Sequence, residues 1–546
     1  MRKKRILLCN EASFLNTGYA TYGREVLKRL HSTGKYEIAE LACYADRNDP
    51  RGDQFPWKMY GNMPNRGVEE QVRAYDSSPT NQFGEWLFDE VCLDFLPDIV
   101  ADIRDFWMID FEERSPFRPF YNWVIMPTVD AYPQKTQWLA TYANADAVFN
   151  YSDWAVDVLK DQSGGKINCL GSAPPSADEA YKPVGDKKAH KQKMGFDPDT
   201  KIIGTVMRNQ RRKLFPDLFE AFRKFLDVSE DKNVVLYCHT SYPDVGWDIP
   251  ELIQRYNLSK HLVFTYVCTE TNRAFPSFFN DSGCQSPFTG NLSARLSNVQ
   301  HGVSYEFLSD IMNLFDVYIQ YANSEGFGLP QVEAAACGVP VMSVDYSAME
   351  SVIRKLGGVP LKVKAKYKEL ETGCMRAVPD NDNAAQKIKE FFDKPESMRL
   401  RMGFEAREAF EKYYQWDMTA KRWEECFDSF EIRPEQETWR SPLRIKQSNT
   451  NPPPFSNSRD AAQWLITETL GEPERLNSYM EARLIRDLNY KTTTETTGGM
   501  YFNEQSAIFS KPSFEPFDVE KALNHFKILC ERRNKWEETR ARVLGL

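Results

Sequence analysis

No stretch of the 546 residues approaches the continuous apolar length, about 20 residues, that a helix needs to cross a bilayer. The opening MRKKRILLCNEAS has a basic head but only a short apolar run, Ile6 to Cys9, before Asn10 and Glu11. That run is too short for a secretory core and reads as a first β-strand. Net basic charge is also missing: the formal balance is -9, which excludes a protein that coats nucleic acid through bulk electrostatics but leaves a local basic groove open. The six histidines are isolated from one another, no Asp-x-Asp follows a suitable strand, and no Ser/His/Asp arrangement stands out, so neither a metal nor a hydrolytic triad is expected. The cysteines are eleven, odd in number and scattered, as suits free thiols in a reducing cytoplasm. Cys268 and Cys284 recur in CTETNRAFPSFFNDSGCQSPFTG, but Thr271 and Pro287 stand where second cysteines would be. Two thiolates fall short of the four ligands that structural zinc takes, so this insertion reads as a metal-free loop.

What is present is an alternation of short apolar runs with helical patterns, the signature of parallel α/β domains. Residues 6–9 lead through a Gly-containing loop into a helix from about Tyr22, and further runs at 36–42, 99–103, 123–127 and 147–151 alternate with helical stretches at 84–95 and 134–143. The Pro-, Lys- and Asp-rich segment over 170–200 reads as the end of this domain and a linker. A second rhythm starts at Lys201, with a helix at 215–228, strands at 234–238 and 262–267, and a loop-rich insertion at about 268–300. It resumes with a helix at 305–314, a strand at 317–320, a helix opening after Pro330, and a strand at 339–344. The expected fold is α/β: two Rossmann-like domains facing a cleft, with a mainly helical carboxyl-terminal extension. The domains are placed at 1–185 and 196–405, with closing helices at 406–430 and a linker with helices (458–470, 473–488 and 517–543) at 431–546.

Asn323–Pro340, NSEGFGLPQVEAAACGVP, carries the most chemistry. It runs from a strand into a helix near Pro330, and proline is favoured where a helix begins. Gly326 and Gly328 allow backbone amides to approach a ligand, and free amides at a helix start suit a diphosphate. Glu325 and Glu333 are spaced to offer one carboxylate to a sugar and one to a ribose. A solvated pair flanking an ordinary loop is the bland alternative. In GTVMRNQRRK, Arg208 and Lys213 follow a strand, where a fixed fork and a point charge can hold phosphate oxygens as a diphosphate leaves. Arg211 and Arg212 beside them equally suit a solvated basic turn.

With these motifs in view, residues 201–225 and 303–358 resemble the carboxyl-terminal domain of the family-4 retaining glycosyltransferases, which have the GT-B fold. The paired glutamates in an E-G-F-G-L-P context match as Glu325 and Glu333, and the family's Arg and Lys match as Arg208 and Lys213. The resemblance implies that Gly302, Val303 and Leu308 lie by the nucleotide base and that Gly18, in Thr17-Gly18, approaches the diphosphate. It also implies donor contacts from the backbone of Gly326, Phe327, Gly328 and Leu329. Where many members have a histidine, WVIMPTVDAYP offers Asp130, either a sugar-side group or a loop cap, and Asp105 in IRDFW is a similar candidate.

The resemblance implies metal-independent sugar transfer with retention, the leaving phosphate taking the acceptor's proton. A nucleotide-diphosphate sugar is the expected donor substrate, with no separate cofactor. The acceptor is a glycan, protein or small molecule, with a base in DNA less favoured. The extension is a candidate surface for homo-oligomer formation. A nucleotide-sugar epimerase or phosphorylase of this fold, or an idle nucleotide-sugar binding protein, remain alternatives.

Overall fold

The computed structural model describes residues 2–115, 117–280, 282–298, 301–432 and 458–469. The expected helices at 473–488 and 517–543, and the extension as an oligomer surface, lie outside the described residues. The expected helix at 458–470 is present as Ser458–Thr469.

The amino-terminal domain is a seven-stranded parallel sheet: β1 (Lys4–Glu11), β2 (Tyr36–Asp46), β3 (Lys58–Met63), β4 (Ile99–Asp102), β5 (Asn122–Ile125), β6 (Ala147–Asn150) and β7 (Cys169–Ser172), in the order β3-β2-β1-β4-β5-β6-β7. Strands covered on both faces read as continuous apolar runs, and Ile6 to Cys9 are all buried in this way. One charged exception, Glu40 in β2, is fully buried and accepts from the Ser13 amide at 2.8 Å and the Trp57 indole at 3.0 Å. Burial raises its carboxyl to about 7, against these hydrogen bonds and the charge of Arg24.

The second domain has β8 (Lys201–Val206), β9 (Val234–His239), β10 (Leu262–Cys268), β11 (Ala274–Phe278), β12 (Ala294–Leu296), β13 (Val317–Gln320), β14 (Val341–Val344) and β15 (Val359–Leu361). Their order is β11-β10-β9-β8-β13-β14-β15, with β12 paired to β10. The helix Phe215–Val228 buries Phe215, Leu218, Phe219, Phe222, Phe225 and Leu226, the three-and-four spacing of one helical face.

Three stretches differ from their sequence reading. The segment over 170–200 holds β7 and the helix Lys187–Lys193 as well as irregular chain. The insertion at 268–300 is built on β11 and β12, which extend the sheet antiparallel from β10. Short edge strands with mixed polar sequence give little periodicity to read. A hairpin of β16 (Val363–Lys368) and β17 (Met375–Pro379) also follows β15, its first strand mostly exposed and lysine-rich.

The position expected to begin the closing helices, 406, falls inside one continuous helix, Glu396–Tyr413. The next helix, Trp416–Ser429, returns to the amino-terminal domain. There the Trp423 indole donates to the Tyr22 hydroxyl at 2.9 Å and Lys4 Nζ to the Phe427 carbonyl at 2.7 Å. These contacts tie that helix back to the amino-terminal domain, and the loop after β5 meets the loop after β13 across one cleft. Among the described residues no helix is long and apolar enough to cross a membrane.

Candidate functional site at the cleft

The loop after β13 turns into the helix Leu329–Ala336 through Gly328, whose φ of +83° is a backbone state that favours glycine. Pro330 sits in the first turn, as the sequence suggests. Gly326 packs across the cleft: a Cβ there would come within 2.4 Å of Thr128 Cγ2, from the loop after β5. Phe327 is buried and its ring meets Tyr414 edge-on at 5.8 Å, so its side chain anchors the loop and only its backbone is free for a ligand. Leu329 packs on the same core.

Glu325 lies buried at the base of this loop. Its Oε1 accepts from Lys213 Nζ and, at 2.8 Å, from Gln320 Nε2, while Oε2 accepts from Arg212 Nη1 at 2.5 Å. Its amide donates to the Ser347 hydroxyl at 2.9 Å. Lys213 is equally buried and reaches Glu325 because its strand-like segment bridges Ala322. A buried charge needs a close opposite partner, and one carboxylate faces both Lys213 and Arg212 here. Burial, with Arg212 nearby, pushes the Lys213 amine well below its usual value.

Arg208 does not join this group. It is 51% exposed and forms a two-pronged pair with Asp244, at 2.9 Å and 3.0 Å. That guanidinium, with the Ser241 hydroxyl and the Val245 amide, holds the Asp244 carboxyl down at about 2. Arg212, which the sequence offered only as part of a basic turn, occupies the place beside Glu325.

Glu333 lies on the buried side of the helix, close to Tyr181. Burial raises its carboxyl to about 7, with the Tyr181 hydroxyl opposing the shift. Gly302 is exposed, and Val303 and Leu308 are half-buried at the start of the helix Tyr305–Leu314. The Tyr305 hydroxyl comes within 3.4 Å of Thr21 in the other domain. Gly18 opens the helix Gly18–Ser32, and nothing lies within 4 Å of the position its Cβ would take.

The amino-terminal domain answers with two carboxylates. Asp130 Oδ2 accepts from Arg376 Nη1 at 2.7 Å and from the Ser324 hydroxyl at 3.3 Å, both in the opposite domain. Arg376 lies in β17 and also donates to Glu369 at 2.8 Å. The hairpin further donates the Met375 amide to the Tyr132 carbonyl at 2.7 Å and accepts Lys135 at the Glu371 carbonyl at 3.0 Å. Asp105 stands before the helix Phe106–Arg114 without capping it. Its carboxyl is raised to about 6, chiefly by burial, against hydrogen bonds from Thr128 and Tyr19. Tyr19 and Thr128 share a hydrogen bond of 2.9 Å.

The cleft therefore brings together Lys213, Glu325, Asp130, Gly326, the neighbouring Arg212 and, from neither motif, Arg376. Nothing in the local sequence announces Arg376, since its role depends on a hairpin folding across the domain boundary. Cys268 and Cys284 lie on two segments of the insertion that both pair with Ala294.

Residues 297–409 match the family of glycosyl transferases group 1. Among curated proteins, sucrose synthase 1 of Oryza sativa subsp. japonica is 23% identical over 265 residues, 46% of this chain and 27% of that one. Sucrose synthase 2 of Hordeum vulgare is 25% identical over 166 residues, 29% of this chain and 16% of that one. The chain thus spans only about a quarter or less of these relatives. Among solved structures, sucrose-phosphate synthase from Thermosynechococcus elongatus superposes with a TM-score of 0.57 at 15% identity, over 78% of this chain and 98% of that one. Anabaena Alr3699/HepE in complex with UDP and glucose does so at 0.53 and 13%, over 79% and 100%. Residues 297–409 thus resemble a group 1 glycosyl transferase domain, and they sit within a two-domain GT-B fold.

Proposed function

We propose that the chain transfers a sugar from a nucleotide-diphosphate donor to an acceptor hydroxyl, with retention at the anomeric carbon and without a metal. The observation that carries this reading is the buried Lys213–Glu325 pair with Arg212 beside it, at the base of a glycine loop that leads into a helix start. Such cations and amides are fixed before the reaction, and they gain strength as negative charge grows on the departing diphosphate. Glu333 accepts ribose hydroxyls, and Gly302, Val303 and Leu308 border the base. Gly18 lets the opposite domain's backbone approach the phosphates. Arg208, at the rim and paired with Asp244 through Nε and Nη2, offers Nη1 to a phosphate oxygen. The leaving phosphate takes the acceptor's proton, so the scheme needs no side-chain base. Asp130 and Asp105 receive sugar or acceptor hydroxyls.

The Anabaena neighbour holds UDP and glucose, which makes UDP-glucose the first donor to test. Full-length protein incubated with UDP-, ADP- and GDP-hexoses in the presence of a chelator should release nucleotide diphosphate from one of them. Proton NMR of a glycosylated product should show the donor's anomeric configuration. If no donor in the set binds or turns over, the assignment fails.

A further inference from the structure

Three of the amino-terminal domain's large apolar side chains that face solvent are aromatic, Tyr44 at 41% exposed, Trp107 at 50% and Tyr132 at 44%. All three lie at the carboxyl-end edge of the sheet, toward the cleft. Tyr44 is near the end of β2, Trp107 is in the first turn of the helix after β4, and Tyr132 is in the loop after β5. In the order β2-β1-β4-β5 these strands are neighbours, so the rings are spread along an edge of about 14 Å at the usual strand spacing.

Tyr44 is held there against a local cost. Its φ is +65°, a state bulky residues avoid, and it sits where the pairing of β2 with β3 slips between Ala42 and Asp46. Bulges of this kind re-aim a side chain, and here the result is an aromatic ring turned to solvent.

Carboxylates are set among the rings: Glu11 ends β1, Asp105 precedes Trp107, and Asp130 precedes Tyr132. Cations around this edge are already engaged, Arg24 with the Ser13 and Leu15 carbonyls, Arg47 with Glu90, Arg51 with Asp49, Arg376 with Asp130 and Glu369, and Arg212 with Glu325. Exposed rings offer flat apolar faces, and carboxylates accept hydroxyl protons. A phosphate-bearing polymer would meet repulsion along the same edge.

We infer that the edge carrying Tyr44, Trp107 and Tyr132 is the acceptor platform, and that the acceptor is an uncharged oligosaccharide. Its rings stack on the aromatics and its hydroxyls donate to Glu11 and Asp105. This rests on the transferase reading above for what the platform serves, while the binding surface can be tested by itself.

Calorimetric titration of the full chain with maltotriose, cellotriose and chitotriose tests it, with an eight-residue oligothymidylate and glucose 6-phosphate as anionic contrasts. At least one trisaccharide should bind, and Trp107→Ala should weaken it about tenfold, with Trp107→Phe keeping part of the affinity. Tyr44→Ala should weaken it less. Both sites are solvent-facing, so circular dichroism should show folded variants. Flat titrations with all three sugars, unchanged affinity in Trp107→Ala, or tighter binding of the oligothymidylate would each overturn the inference. Trisaccharide binding without donor turnover would leave the platform standing and remove the transferase reading; turnover without trisaccharide binding would do the reverse.

Discussion

On the carboxyl-terminal domain's side of the cleft, the charged groups are locked to one another: Glu325 to Lys213 and Arg212, Arg208 to Asp244, Arg376 to Glu369. On the amino-terminal side, aromatic rings face outward, and the largely buried Asp105 takes its hydrogen bonds from the Thr128 and Tyr19 hydroxyls. The first arrangement suits a demand that is the same in every turnover, the stabilisation of a leaving diphosphate at fixed distances. The second suits a partner that varies, because hydroxyl and ring contacts adapt to different hydroxylated surfaces.

The sharpest way to break this comparison is to remove the fixed charges one at a time. Lys213→Ala should lower kcat at least about a hundredfold, the scale seen when one preorganised donor is lost. It should also lower Tm, because Glu325 stays buried with a partner gone. Arg212→Ala should cost about tenfold, and Arg208→Ala should leave Tm nearly unchanged, its pair with Asp244 being half-exposed and worth less than about 1 kcal/mol. Steady-state kinetics and thermal melts on the three variants decide. If Arg208→Ala proves the most damaging to kcat, donor binding must pull Arg208 from Asp244, and the locked side is not locked.

This same contrast governs what could be read beforehand. The glycine loop, Glu325, Glu333 and Lys213 lie in short contiguous motifs whose spacing is itself the geometry, so they were visible in sequence. The parallel strands were visible too, since burial on both faces writes an apolar run. The partner of Arg208 was not, because Asp244 comes from the loop after β9 and only folding brings it near. Arg376 and the hairpin over β16 and β17 were hidden for a second reason: exposed lysines on one strand blur the alternation that marks a strand. Asp105 could be named but not interpreted, since sequence cannot tell a capping aspartate from one turned toward Tyr19 and Thr128.

A middle-sized effect tests whether Glu333 belongs to the donor. Ribose hydroxyls donate to the ionised carboxylate, and the group titrates at about 7. Donor KM should therefore rise about tenfold between pH 8 and pH 6, as the ionised fraction falls to about a tenth. Stability should run the other way. Because the folded protein holds this proton more tightly than the unfolded chain, stability falls as pH climbs from about 4.5 through 7. Glu40, also at about 7, adds to that slope, so the informative quantity is the difference between the parent and Glu333→Gln. The variant should have a flatter KM profile and a flatter Tm profile. A KM profile that keeps its slope in Glu333→Gln would move the ribose elsewhere.

The smallest expected effect tests whether the two sides truly meet. An alanine at 326 fits its backbone but places Cβ 2.4 Å from Thr128 Cγ2, so one loop must retreat. Such overpacking is felt over a short range, and kcat for Gly326→Ala should fall about threefold to tenfold with little change in donor affinity. Thr128→Ser removes the offending methyl while keeping the hydroxyl that bonds Tyr19. Added to Gly326→Ala, it should restore most of the lost turnover, a coupling that neither single change would show. Purely additive losses in that cycle would mean the loops part during turnover. The charge-bearing and ring-bearing sides would then act on the substrates from an open cleft, with Asp130 parted from Arg376.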